Sequence, residues 1–363
     1  VFTTTGIYTA FRGAPPPPQA APAGTPTSRH TPADPAERQG GRFGVRVAAR
    51  PAALLIALAA TLPATASAQW LVVSPPAAVA WYAAVDSVRL PGPGAFSFTR
   101  SVSPSAHPLT RALTNGRFDL LHFVPLYYPS ATRDGLADAA DDAATGAPSR
   151  AARGALTVGA LGQAITDPAD RRTLTAFAAL VRRMNARPAP ASQIAAWQEA
   201  WTRRFAPALA PYLRSQRLDA GRLLVIPTLG VEGRIFTGVA ADRTDNQIAV
   251  GAPLGPTDPD GPLFAAVREL CFPVVSRAAD ATPAFRRTVR TPADAARRTS
   301  IAAVRCGAEL LDRLLPAEAA GYRTHWRLAV QASDDATFDA LFPADPVLAS
   351  PVRSLLAQLA PSR

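Results

Sequence analysis

The pattern of apolar and polar positions changes character several times along the chain. From Phe11 to Arg46 it is Pro, Ala, Gly, Thr and Arg with no periodic apolar face. Such a stretch cannot bury enough surface to offset chain entropy. Residues 1–45 therefore read as disordered, or as an over-extended gene start. An apolar run, Ala52–Leu62, then follows Arg42, Arg46 and Arg50. It is far shorter than the roughly 20 residues a bilayer span needs. With the small residues Ala64-Thr65-Ala66-Ser67-Ala68 behind it, it predicts a signal peptide over 46–68, cleaved before Gln69.

Beyond Gln69 the periodicity predicts elements. Trp70–Val73 reads as a strand, as do Ala83–Val88 and Ala95–Thr99, the last two parted by the turn residues Pro91-Gly92-Pro93-Gly94. Phe118–Tyr128 is aromatic-rich and short, which predicts a buried strand with His122 packed inside it. Asp134–Gly154 predicts a weak helix and a loop. Asp167-Pro168-Ala169-Asp170 combines an N-cap, Pro at the first helical position and an acid at the third, opening a helix to about Asn185. A second helix starts at Ser192. Its Ile194, Trp197, Trp201 and Phe205 recur at three- and four-residue spacing, as core packing requires; a sugar-stacking face is the alternative. Pro207 and Pro211 are expected to restart the chain.

Three strands follow, Arg222–Pro227, Arg234–Val239 and Asn246–Gly251, then a Pro/Asp/Gly loop over Gly255–Pro262 and a helix over Leu263–Arg277. Thr291-Pro292-Ala293-Asp294 repeats the capping pattern and opens a helix to about Leu315. Pro316 starts another, carrying Tyr322 and Trp326. The expected fold is α+β, a small mixed or antiparallel sheet packed against several helices, as one domain over 69–363.

Composition adds location and excludes partners. The formal net charge is +11, and all 38 basic residues are Arg. Residues 1–68 hold six Arg against Asp34 and Glu37, which leaves +7 of that +11 on the remainder. No zinc finger, aromatic RNA motif or basic recognition helix accompanies the charge, so no specific nucleic-acid partner is expected. A basic surface holding anionic glycan stays open as an alternative. The leader predicts a periplasmic or secreted protein. No Cys follows the cleavage site, so no lipid anchor or other stable membrane anchor is expected. In an oxidising compartment Cys271 and Cys306, the two cysteines, predict a disulfide, with two buried thiols as the alternative.

The remaining signal is chemical. After the third predicted strand, Arg268-Glu269-Leu270-Cys271-Phe272 sits in a helix, and Glu309 sits in the next long helix. This order resembles the gluzincin-type zinc peptidases, whose His-Glu-x-x-His helix sets two ligands one turn apart with a general base beside them. The resemblance covers about Leu223–Leu315 and implies a zincin-like fold. It makes Glu269 a relic general base, puts Arg268 and Phe272 in the two histidine places, and makes Glu309 the third ligand position. An always-protonated guanidinium and a phenyl ring have no lone pair for zinc. The resemblance therefore implies no metal, no cofactor and no catalysis. The expected protein is an exported pseudo-peptidase that binds a peptide or cell-envelope partner, another exported protein included, beside the 246–251 strand taken as an edge. Treating the two helices as antiparallel neighbours pairs Cys271 with Cys306 and, in the same register, Arg268 with Glu309. The competing reading is an active exported hydrolase with an unrecognised carboxylate site, drawn from Asp258, Asp260 and Glu269. No Gly-x-Ser-x-Gly elbow, phosphate loop or dinucleotide fingerprint is present.

Overall fold

A computed structural model of the protein describes residues 69–88, 124–127, 132–145, 168–231, 233–237 and 246–359. The predicted leader and signal peptide, the 95–99 strand, His122 and most of the 118–128 run lie outside these residues.

The described part is mixed α+β. Its sheet has four strands: β1 (Trp70–Val73), β2 (Gly221–Val225), β3 (Gly233–Phe236) and β4 (Asn246–Val250), in spatial order β1-β2-β4-β3. β1, β2 and β4 run parallel, with Trp70 opposite Gly221 and Gly221 opposite Asn246. β3 lies antiparallel on β4, Gly233 opposite Val250, and forms an edge. Side chains alternate faces along a strand. Leu223, Val225, Ile248 and Val250 enter the main core, and the alternate Leu224 and Ala249 are buried as well. Both faces of the central strands are covered, which is why β2 and β4 read as continuous apolar runs.

The helices are α1 (Pro76–Val88), the short α2 (Val124–Tyr127), α3 (Arg133–Thr145), α4 (Pro168–Arg183), α5 (Ala191–Ala200) and α6 (Ala206–Ser215). After the sheet come α7 (Gly261–Ala281), α8 (Pro283–Thr288), α9 (Pro292–Leu314), α10 (Pro316–Ala329), α11 (Phe338–Leu341) and α12 (Ala349–Leu359). α3 and α4 pack on each other and on α1, while α7 lies on β3 and β4 with α9, α10 and α12 behind it. Among the described residues no helix is long and apolar enough to cross a membrane.

Several expected elements are in place, and the departures have local causes. The capping pattern at Thr291 works as expected: its side chain accepts from the Asp294 N–H at 3.1 Å. Ala83–Val88 is not a strand but the end of α1. A run of alanines with interspersed Val, Trp and Tyr has high helix propensity, and its apolar length alone cannot tell a buried helix from a strand. The described part of the 118–128 run, α2, is likewise helical. Pro207 and Pro211 do not break the chain. Pro207, in the first turn of α6, and Pro211, further along it, are both carried inside the helical run. Between α5 and α6 the turn widens to a π-helix, Trp201–Phe205, so the three pieces run on continuously. α7 likewise continues through Pro273 to Ala281, past the expected end at Arg277.

The two sheet edges differ. At β1 the Val72 N–H donates to Gln198 Oε1 at 2.8 Å, and Gln198 Nε2 donates to the Trp70 carbonyl at 3.2 Å. One side-chain amide on α5 thus takes the place of a neighbouring strand and closes that edge. The Asn246–Val250 strand, expected at the edge, is instead interior between β2 and β3 and wholly buried. At the end of β2, Gly230 has φ +63°, and a Cβ on Gly251 would overlap the Gly230 carbonyl. The loop reaches β4 only because both positions are glycine.

Candidate functional site

α7 carries the candidate residues. It is buried almost all round over its first half, so Arg268 and Glu269 enter the interior at 5% and 2% exposure. Charges this deep are tolerated only when paired. One Arg268 nitrogen, Nη1, donates to Glu269 Oε1, and Nη2 donates to the Ser300 hydroxyl on α9. The guanidinium also lies 4.6 Å from the centroid of the Phe272 ring and 5.7 Å from that of Trp326 on α10. Arg268 Nε, by contrast, has no acceptor. On the other side the Glu269 carboxylate abuts β3, where a Cβ on Gly233 would collide with it.

Three of the four positions suggested by the zinc-helix pattern therefore meet: Arg268, Glu269 and Phe272. The fourth does not join them. Glu309 is 3.7 Å from Arg353 of α12, and the Arg268–Glu309 pair expected from an antiparallel register is absent. Arg268 reaches Ser300 instead, about two and a half turns before Glu309 on α9. The constant-sum register brings Cys271 beside Cys306 but does not bring Arg268 to Glu309. The donor set also fails as a zinc site. The two histidine places hold a guanidinium and a ring stacked on each other, and the guanidinium's charge is already turned on Glu269. Among the described residues no group of three or more His, Cys, Asp or Glu is placed to hold a metal ion.

The expected Cys271–Cys306 bridge is not formed. Both are free thiols, at 0% and 1% exposure, adjacent across the α7–α9 contact. Burial, then the neighbouring Cys306, pushes the Cys271 thiol well above its ordinary range. Cys271 thus stays a neutral thiol, and both cysteines pack as small apolar residues shielded from any thiol-exchange partner in solvent. Tyr212 and Tyr322 flank it. Their hydroxyls donate to the carbonyls of Leu270 at 2.7 Å and Val304 at 2.9 Å. Burial raises both phenol pKa values, so both stay protonated donors.

A second buried polar pair has no signal in the spacing of the sequence, its members being 67 residues apart. His325 Nδ1 of α10 lies 2.8 Å from Asp258 Oδ2, and both side chains are 3% exposed. The same Asp258 oxygen accepts from the Leu254 N–H at 3.2 Å, while His325 Nε2 is buried without a partner. The pair clamps the loop before α7 to α10. Asp260 turns away to Arg204 at 2.8 Å, so Asp258, Asp260 and Glu269 each have a different partner and do not form a carboxylate pair. Two cavities among the described residues lie elsewhere. One, about 280 Å³, is lined by Gln69, Trp70, Trp201 and Leu213. The other, about 20 Å³, lies beside Cys306 and Glu309 under α12.

Ser300 and Trp326 beside Arg268, and Gly233 against Glu269, carry no sequence pattern that singles them out. No protein-family model matches the chain, and neither a curated protein nor a solved structure matches it significantly.

Proposed function

We propose that the chain is an exported, zincin-like protein in which an ion pair has replaced the metal, and that it acts by binding an extended peptide rather than by hydrolysis. The observation that carries this reading is the engagement of Glu269. A general base needs a free lone pair aimed at a water that something else activates. Glu269 instead accepts from Arg268, which stands in a ligand place and cannot release its proton. The order of elements supports the ancestry: a mixed sheet, its last strand β4 leading through a loop into α7, then a second long helix, α9. Peptide addition belongs to the β3 side, because the β1 edge is occupied by Gln198 and β4 is interior. β3 is also the strand that touches Glu269, through Gly233.

Metal analysis and a peptidase assay on protein purified from the compartment to which it is exported test this together. The expected result is zinc far below one equivalent and no turnover that a chelator abolishes. One equivalent of zinc with chelator-sensitive cleavage of peptides would overturn the reading.

A further inference from the structure

We propose that the cavity of about 280 Å³ between β1 and α6 is a binding site for a free α-amino acid with an aliphatic side chain of about leucine size. It lies at the β1 edge of the sheet, the opposite edge from β3, and does not depend on the peptide reading above.

Its walls follow from local structure. On α6, Ala206, Ala210, Leu213 and Arg214 fall at i, i+4, i+7 and i+8, so they share one helix face. Alanine at the first two of these positions leaves the room. Trp201, in the π-helical turn that leads into α6, and Trp70 of β1 also border the cavity. The remaining wall is made by the turn after α6. Arg217 sits at φ +56°, in the left-handed region that residues other than glycine seldom adopt. The Leu218 N–H returns to the Leu213 carbonyl at 2.8 Å, and the Leu218 carbonyl accepts from the Trp70 indole at 2.8 Å. This reversal brings Asp219 to the same cavity as Arg214. Both are exposed, and neither has an ion-pair partner among the described residues, the other included.

The lining dictates the ligand. An apolar floor takes an apolar group, and a few placed polar groups orient it. A ligand that is only cationic would face Arg214 as well as Asp219, and one that is only anionic would meet the reverse. A zwitterion satisfies both. Its ammonium pairs with the Asp219 carboxylate, and its carboxylate takes two parallel N–H donors from the Arg214 guanidinium. Volume sets the size. At about 30 Å³ per water in the liquid, the cavity has room for about nine waters. Leucine has about that many non-hydrogen atoms, whereas an extended peptide has far more.

Calorimetric titration of the full chain with L-leucine tests the site. Leucinamide, which lacks the carboxylate, and N-acetyl-leucine, which lacks the ammonium, serve as controls. The expected result is saturable binding of one L-leucine per chain, with both controls weaker by about tenfold or more. No saturation by L-leucine in the millimolar range overturns the proposal, and so does a control that binds as tightly as L-leucine. Because Asp219 and Arg214 are exposed, Asp219→Asn and Arg214→Gln should keep the fold, which circular dichroism checks. In Asp219→Asn the affinity for L-leucine should fall to that for N-acetyl-leucine, and in Arg214→Gln to that for leucinamide. A merely structural change would not erase those two preferences separately. Ala210→Phe, which fills the cavity, should abolish binding. An L-leucine affinity unchanged in any of the three variants overturns the assignment to this cavity.

Discussion

Replacing Arg268 by methionine separates a structural ion pair from an ordinary helical arginine. Both partners are at least 95% buried, at 5% and 2% exposure. Removing the guanidinium takes a cation away from the Glu269 carboxylate and a donor away from Ser300. Truncating one member of a buried pair costs about 3–5 kcal/mol, because the other charge is left in a low-dielectric site. The contact with Phe272, at 4.6 Å, adds up to about 2 kcal/mol when desolvated. Methionine recovers part of that by packing on the ring. The expected loss for Arg268→Met is about 4 kcal/mol, against a whole folding stability of about 5–15 kcal/mol. Arg268→Met combined with Glu269→Leu removes the stranded charge too and should return to within about 1–2 kcal/mol of the natural chain, or exceed it. Guanidinium unfolding followed by tryptophan fluorescence measures both, provided the slopes agree. A loss below about 1 kcal/mol for the single variant would place Arg268 among solvated surface pairs. A double variant no more stable than the single would show that the carboxylate was never the source of the cost.

Other perturbations follow from the same contacts. Gly233→Ala should lose about 1–3 kcal/mol in a thermal melt by driving a methyl group into the Glu269 carboxylate; in a Glu269→Ala background the loss should disappear, and its persistence would point to β3 itself. Cys271 should alkylate far more slowly in the native protein at pH 8 than in guanidinium, since burial raises its pKa; equal rates would contradict the buried thiol. Thiols that react in guanidinium only after a reductant is added would show that the bridge forms in the exported chain. Asp345 accepts from Arg298 Nε at 2.6 Å and from the Val347 and Leu348 N–H groups. Burial pushes its carboxyl up, but these donors outweigh it and hold the pKa below the usual value. A depressed carboxylate contributes stability above its unfolded pKa of about 3.9 and loses it as pH falls through the folded value. Asp345→Asn should therefore cost about 2 kcal/mol at pH 7 and progressively less below about pH 4. Denaturant midpoints measured across that range check the sign, and an undiminished difference in strong acid would refute it.

What could be read along the chain is what a single turn of backbone decides. The starts of the helices at Pro168, Pro292 and Pro316 follow from residues that satisfy or dispense with N–H groups inside one turn. The three strands near residues 221–250 follow from short apolar runs between glycines and acids, and the α+β class follows from both. Ala83–Val88 was misread because a short run of small apolar residues fits a buried helix and a buried strand alike, and only its neighbours settle which.

The candidate site was legible in part. Arg268, Glu269 and Phe272 share a helix face by spacing alone, and their place after β4 is a matter of element order. Their partners are not written in any period. Ser300, Gly233 and Trp326 come to Arg268 and Glu269, and Asp258 comes to His325, through the angle and register at which helices pack on helices and sheet. Those are set by side-chain volumes across the whole core. Glu309 shows the limit most directly. Its distance from Cys306 along α9 is fixed by covalent geometry, yet whether it meets Arg268 or Arg353 depended on how α7, α9 and α12 settle against one another, and it meets Arg353.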